Sequence, residues 1–67
     1  MRKLRAYRKA ARLSQSELAA RVGVSREHIT RLENGSTQGS VTLWLEIQSA
    51  LKLSSKALLD AMEEDDK

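Results

Sequence analysis

Two spans, residues 14–23 and 25–35, each open on a serine and close on a glycine, and they lie almost end to end. A serine hydroxyl can accept a hydrogen bond from an amide that the first turn of a helix leaves without a partner. Glu17, three residues after Ser14, can bind the amide of that serine in return, which makes the pair a capping box. A glycine adopts, without steric cost, the left-handed backbone in which many helices end. Each span is therefore expected to be one short helix, over about residues 15–21 and to about Asn34, and Val24 alone separates Gly23 from Ser25. The connection has to be a tight turn.

Similar punctuation recurs along the chain. Leu4, Tyr7, Arg8 and Ala11 share one face of a helix over roughly residues 1–11. The second helix buries Leu18, Ala19 and Val22. The small polar stretch "STQGS" is a loop, and Ser40 caps a helix over roughly 41–51. Val41, Trp44, Leu45, Ile47, Gln48 and Leu51 occupy or flank its inner stripe. Ser54 or Ser55 caps a last helix carrying Ala57, Leu58 and Met62. Asn34 followed by Gly35 is also a hairpin signal, but helical periodicity precedes it. There is no proline, no internal repeat and no linker. The expected fold is all-α, a compact bundle of five short helices. Residues 1–62 form one domain, and the acidic residues 63–67 form a flexible tail.

Sixty-seven residues bury only a marginal core unless the helices pack closely or find a partner. With no cysteine, neither disulfides nor thiolate metal sites are available, which fits a reducing cytoplasm. No apolar run approaches the length of a membrane span, and no hydrophobic core follows the basic start as in a signal peptide. The first fourteen residues, "MRKLRAYRKAARLS", are amphipathic, arginine-rich and free of acids, like an organelle presequence or a membrane-surface helix. They run directly into further helices with no cleavage signal, so they are read as part of the domain.

Charge is unevenly placed. Residues 1–35 hold nine basic and three acidic residues, whereas residues 36–67 hold three and six. One half is suited to a polyanion and the other should face away from it. Within the basic half, the helix after Ser25 is two-sided. At about 100° per residue, Arg26, Glu27, Thr30, Arg31 and Asn34 fall on one arc, while Ile29 and Leu32 point the other way. Two helices joined by a glycine turn, the second with such an arc, suit DNA. An α-helix fits the major groove, and the helix before it braces on phosphates.

The segment "LSQSELAARVGVSREHITRLENG", residues 13–35, continued by "TLWLEIQSALKLS", residues 42–54, resembles the lambda-repressor-like, or Cro/Xre-type, helix-turn-helix proteins. The resemblance covers nearly the whole chain apart from the acidic tail. It implies a lambda-repressor-like DNA-binding domain whose helix-turn-helix is helices 2 and 3, binding operator DNA as a two-fold dimer. It implies Arg26, Glu27, Thr30 and Arg31 as base-reading residues of a recognition helix over 25–34. Gln15, Ser25, Asn34, Ser36 and Thr37 are implied as phosphate contacts, with the backbone near Gly35 assisting. The chemistry agrees, since arginine pairs bidentately with guanine, glutamate accepts from the cytosine amine, and the threonine methyl can touch thymine. The family also pairs an arginine with a glutamate at the places of Arg8 and Glu33, expected here as a structural, partly buried ion pair.

The chain departs from the family pattern at three positions. Arg12 and Lys52 stand where glycines usually close helices 1 and 4. Gly39 replaces the proline often found before helix 4, which should leave the 35–40 loop less constrained. His28 is the only histidine, so a metal role is not expected, and Trp44 is read as core. There is no nucleophile–base arrangement, phosphate loop or cofactor motif, so neither an enzyme nor a cofactor is expected.

These readings point to a transcriptional regulator, a Cro-like repressor or activator, working as a homodimer in the cytoplasm at the nucleoid. A chain this short is expected to have no separate sensor domain. An alternative is the antitoxin of a toxin–antitoxin pair, with Leu53, Leu58, Leu59 and Met62 facing the toxin; the same residues equally suit a homodimer contact. RNA polymerase is a further candidate protein partner. A third class is an interaction module that has lost DNA binding; the polar, basic arc and Gln15 argue against it.

Overall fold

Five helices make up the computed structural model, which describes residues 3–62. They are α1 (Leu4–Ala10), α2 (Gln15–Val22), α3 (Arg26–Asn34), α4 (Val41–Leu51) and α5 (Ser55–Met62). The described residues contain no strand. The expected tail, residues 63–67, lies outside them, as do the first two residues of the expected first helix.

Helices α2 to α5 each follow a serine whose Oγ accepts a backbone amide three residues on. Ser14 accepts from Glu17 at 3.0 Å, Ser25 from His28 at 3.1 Å, Ser40 from Leu43 at 3.1 Å and Ser54 from Ala57 at 3.1 Å. The Ser14 amide in turn donates to Glu17 Oε1 at 2.7 Å, completing the capping box. Gly23 and Gly35 end α2 and α3 with φ of 76° and 80°.

The two turns that lack a glycine keep the same left-handed geometry. Arg12 has φ of 62° and Lys52 has φ of 56°, a conformation that costs a residue with a Cβ on the order of 1 kcal/mol. What holds each turn is the residue after it. Leu13 and Leu53 donate their amides back to the Arg8 and Gln48 carbonyls, at 3.2 and 2.9 Å, and both side chains pack against the core. A six-to-one bond accompanied by an apolar contact is the usual geometry of a helix end. Here the apolar contact imposes it on a residue that would not choose it.

The packing closes into a ring. Helix α1 packs on α3 and α5, α5 on α4, α4 on α2, and α2 on α3. Inside it lie Leu4, Leu18, Ala19, Val22, Ile29, Leu32, Leu43, Ile47, Leu51, Leu58 and Ala61. Helix α2 buries the three residues expected of it. Helix α4 is rotated from expectation: its inner stripe is Leu43, Ile47 and Leu51, while Val41 and Leu45 are 62% and 54% exposed. Apolar residues lie on nearly all sides of α4, so spacing alone does not choose a face. The positions of α2 and α5 do. Ala11, expected on the inner face of α1, is exposed because α1 ends at Ala10.

The loop after α3 is more tightly held than its lack of proline implies. Gly39 has φ of 74°, and a Cβ there would lie 3.0 Å from Leu32 Cδ2 and 3.2 Å from Trp44 Nε1. Trp44, half-buried against the core, donates its indole N–H to the Gln38 carbonyl at 2.8 Å. The loop is thereby pinned to α3 and α4 from both sides.

Candidate nucleic-acid interface

Ile29 and Leu32 are wholly buried, so α3 sits on the core with a fixed rotation about its axis. That rotation leaves Arg26, Glu27, Arg31 and Asn34 exposed and Thr30 half-buried, as the helical period requires of the opposite arc. The side chains of Arg26, Glu27, Arg31 and Asn34 make no hydrogen bond or ion pair among the described residues. Both arginines and the glutamate are thus available to a ligand.

Behind this face runs a continuous hydrogen-bonded chain. Arg8 of α1 donates through Nε to Glu33 Oε2 at 2.6 Å and through Nη2 to Oε1 at 3.3 Å. Its Nη1 donates to the Leu13 carbonyl at 2.8 Å, tying in the α1–α2 turn. Gln15 Nε2 donates to Glu33 Oε1 at 3.0 Å, and Gln15 Oε1 accepts from Thr30 Oγ1 at 3.1 Å. Thr30 Oγ1 also lies 3.1 Å from the Arg26 carbonyl. The Arg8–Glu33 pair is buried and fully engaged, which is the condition under which two charges are tolerated in a core. The structure brings together five residues from α1, α2 and α3, all of which the sequence singled out separately as reading, phosphate-contacting or ion-pairing.

The residues expected to touch phosphates divide by what their groups already do. Gln15 is half-buried with its carbonyl oxygen engaged, leaving one amide proton for a ligand. The Ser25 hydroxyl is engaged as the α3 cap. The Gly35 and Ser36 amides donate to the Leu32 and Arg31 carbonyls at 3.2 and 2.9 Å. Those two amides close the helix and are not free for a phosphate. Asn34 and Ser36 are exposed and Thr37 is half-buried.

A second polar cluster joins α1 to α5. Tyr7 Oη donates to Asp60 Oδ2 at 2.7 Å, and Lys3 Nζ lies 3.0 Å from Asp60 Oδ1. The tyrosine hydrogen bond, followed by that from Lys3, lowers the Asp60 pKa below its ordinary value. The same bond raises the Tyr7 hydroxyl. On α2, the Ser14 backbone amide holds the Glu17 carboxyl below its ordinary value.

Sequence reasoning missed two things here. Asp60 is 53 residues from Tyr7, and no local pattern joins them. Nor does spacing reveal that Gln15 bonds both Glu33 and Thr30. The apolar surface expected on α5 is also altered. Leu58 belongs to the core and Leu53 is half-buried, whereas Leu59 is 61% exposed; the Met62 side chain lies outside the description. Among the described residues, no helix is long and apolar enough to cross a membrane.

Comparison with known proteins supplies two findings. The sequence profile of the helix-turn-helix family matches residues 4–58, which contain α1 to α4 and the first half of α5. An uncharacterised HTH-type transcriptional regulator of Sinorhizobium fredii is 38% identical over 50 residues, covering 75% of this chain and 26% of that protein. The chain therefore spans about a quarter of the length of the curated relative it matches.

Proposed function

The chain belongs to the Cro/C1-type helix-turn-helix family, and from that premise we propose that it is a sequence-specific transcriptional regulator binding operator DNA through α3. The observation that carries the reading is the outer arc of α3. Arg26, Glu27, Arg31 and Asn34 stand exposed on a helix whose rotation is locked by Ile29 and Leu32. In a major groove, Arg26, Glu27, Thr30 and Arg31 meet base edges. Gln15, Ser25, Asn34, Ser36 and Thr37 lie towards the phosphates, which position the domain without reading sequence. The regulator acts as a homodimer on a palindromic operator, its two recognition helices entering successive major grooves about 34 Å apart. The reading involves no catalytic step and no cofactor, and places the protein with the chromosome in the cytoplasm.

Selection of bound DNA from a random duplex pool at near-physiological salt tests this, with stoichiometry read from the shifted complex. The expected result is a palindromic consensus bound by two chains. Arg26→Ala and Arg31→Ala should each relax preference at particular base pairs. Sequence-blind binding that fades steeply with salt would reduce the interaction to phosphate attraction and end the proposal.

The second reading is an antitoxin with the same DNA-binding face and a toxin as protein partner. It is favoured by Val41, Leu45 and Leu59, large apolar side chains left on the surface. Co-purification of a second small protein from the native host supports it, and a homogeneous homodimer formed in the presence of its operon neighbour counts against it.

A further inference from the structure

The buried ion pair sets the direction of every hydrogen bond between it and the reading face. A carboxylate only accepts, so the Gln15 atom 3.0 Å from Glu33 Oε1 has to be the amide nitrogen. The Gln15 carbonyl oxygen is then the atom 3.1 Å from Thr30 Oγ1. An amide oxygen also only accepts, so on this contact Thr30 is the donor. A threonine hydroxyl carries one proton. Its other near neighbour, the Arg26 carbonyl at 3.1 Å, is an acceptor too. Whichever oxygen takes the proton, none remains for a ligand.

Taken alone, threonine is an ambiguous reader, because its hydroxyl can donate to one base and accept from another. Thr30 has lost half of that repertoire. Outward it presents oxygen lone pairs and a methyl group. Gln15 presents the complement: one amide proton is spent on Glu33 and the second can still be donated.

Resting on the regulator reading above, we propose that Thr30 is a specificity-determining acceptor in the major groove, one that takes a hydrogen bond from the exocyclic amino group of adenine or cytosine. Guanine offers only N7 and O6 acceptors there, and thymine offers O4 beside its methyl. Against either of those atoms, two lone pairs would meet with no proton between them. Glu33, a buried residue that touches no DNA, contributes to the discrimination by turning the Gln15 oxygen towards Thr30, beside the Arg26 carbonyl.

The test pairs one protein group with one base group. The wild-type consensus is found first. Within it each adenine is replaced in turn by purine, which lacks only the 6-amino group, and each cytosine by 2-pyrimidinone, which lacks only the 4-amino group. Wild-type protein should lose about five- to tenfold in affinity at the position that Thr30 reads in each half-site, the size of a single neutral hydrogen bond. Thr30→Val keeps the side-chain shape and removes the hydroxyl. It should bind the natural operator correspondingly less tightly, show no further loss with the analogue at that position, and retain the consensus elsewhere. The retained positions show that the variant is folded. A consensus in which no amino removal is coupled to Thr30, or in which Thr30→Val leaves every preference intact, overturns this inference alone. A pool that yields no consensus overturns the regulator reading as well.

Discussion

Helix α1 holds α3 and α5 by the same kind of contact in two different settings. To α3 it offers Arg8, which grips the Glu33 carboxylate; to α5 it offers Tyr7, which with Lys3 just before the helix grips the Asp60 carboxylate. The Arg8 and Glu33 side chains are 8% and 4% exposed, whereas those of Lys3 and Asp60 are 41% and 42% exposed. Away from water, each charge of the inner pair depends on the other for solvation, and losing one strands its partner. At the surface, water replaces whichever partner leaves and salt screens what remains. The same chemistry thus makes a stiff joint at α3 and a compliant one at α5. The stiff joint also extends through Gln15 to Thr30.

The largest expected effect breaks the inner pair. Arg8→Met should destabilise the fold by about 3–5 kcal/mol, because it leaves Glu33 charged and buried. Arg8→Met combined with Glu33→Met should recover most of that loss, since a well-packed apolar pair can replace a buried ion pair at little cost. Denaturant unfolding of the two proteins measures this. If the second substitution made the loss larger, the buried pair would be no different in kind from the exposed one.

An intermediate effect tests where the α3 side of the molecule meets α4. Gly39→Ala would put a Cβ 3.0 Å from Leu32 Cδ2 on a backbone of φ 74°, and should cost about 1–3 kcal/mol in thermal or denaturant unfolding. Arg12→Gly and Lys52→Gly should act in the opposite direction. Each relieves a left-handed residue and so should stabilise by roughly 0.5–1 kcal/mol, the relief being partly offset by the greater freedom of glycine in the unfolded chain. Destabilisation by either would mean that its side chain does more for the turn than its backbone costs.

The smallest effect belongs to the outer carboxylate. A carboxyl whose pKa is lower in the folded state contributes stability above its unfolded pKa, and loses it as the pH falls through the folded value. Wild type should therefore lose stability slightly faster than Asp60→Asn as the pH is lowered from about 5 through the ordinary aspartate range near 4 and below. The Tyr7 end has the opposite sign. A raised hydroxyl contributes below its unfolded pKa, and that contribution disappears as the pH rises past about 10. Parallel acid titrations of the two proteins, followed by circular dichroism, check the first. Identical curves would remove Asp60 from the account of how α5 is held.

Much of this architecture was legible because its signals are local. The Ser14–Glu17 box, the Ser25 and Ser40 caps, and the left-handed glycines at 23 and 35 each involve residues within one turn of one another. The exposed arc of α3 follows from the helical period once its cap is placed. Helix α4 was legible in extent but not in rotation. Its sides are too alike for spacing to tell Leu43 from Val41, and burial was settled by where α2 and α5 lie. The loop at 36–40 misled for a related reason. Its constraint comes from Leu32 and Trp44 closing on Gly39 and Gln38, not from the conformational preferences of the loop residues.

By itself, the sequence determined five short helices, their caps and the polar outer arc of α3, because those depend on hydrogen bonds and periodicities that reach no further than about four residues. Only the tertiary structure decided which face of α4 turns inward, that Asp60 meets Tyr7 and Lys3, and that Gln15 bonds both Glu33 and Thr30. Those outcomes depend on groups 15 to 57 residues apart along the chain, which meet only when the ring of helices closes and excludes water between them.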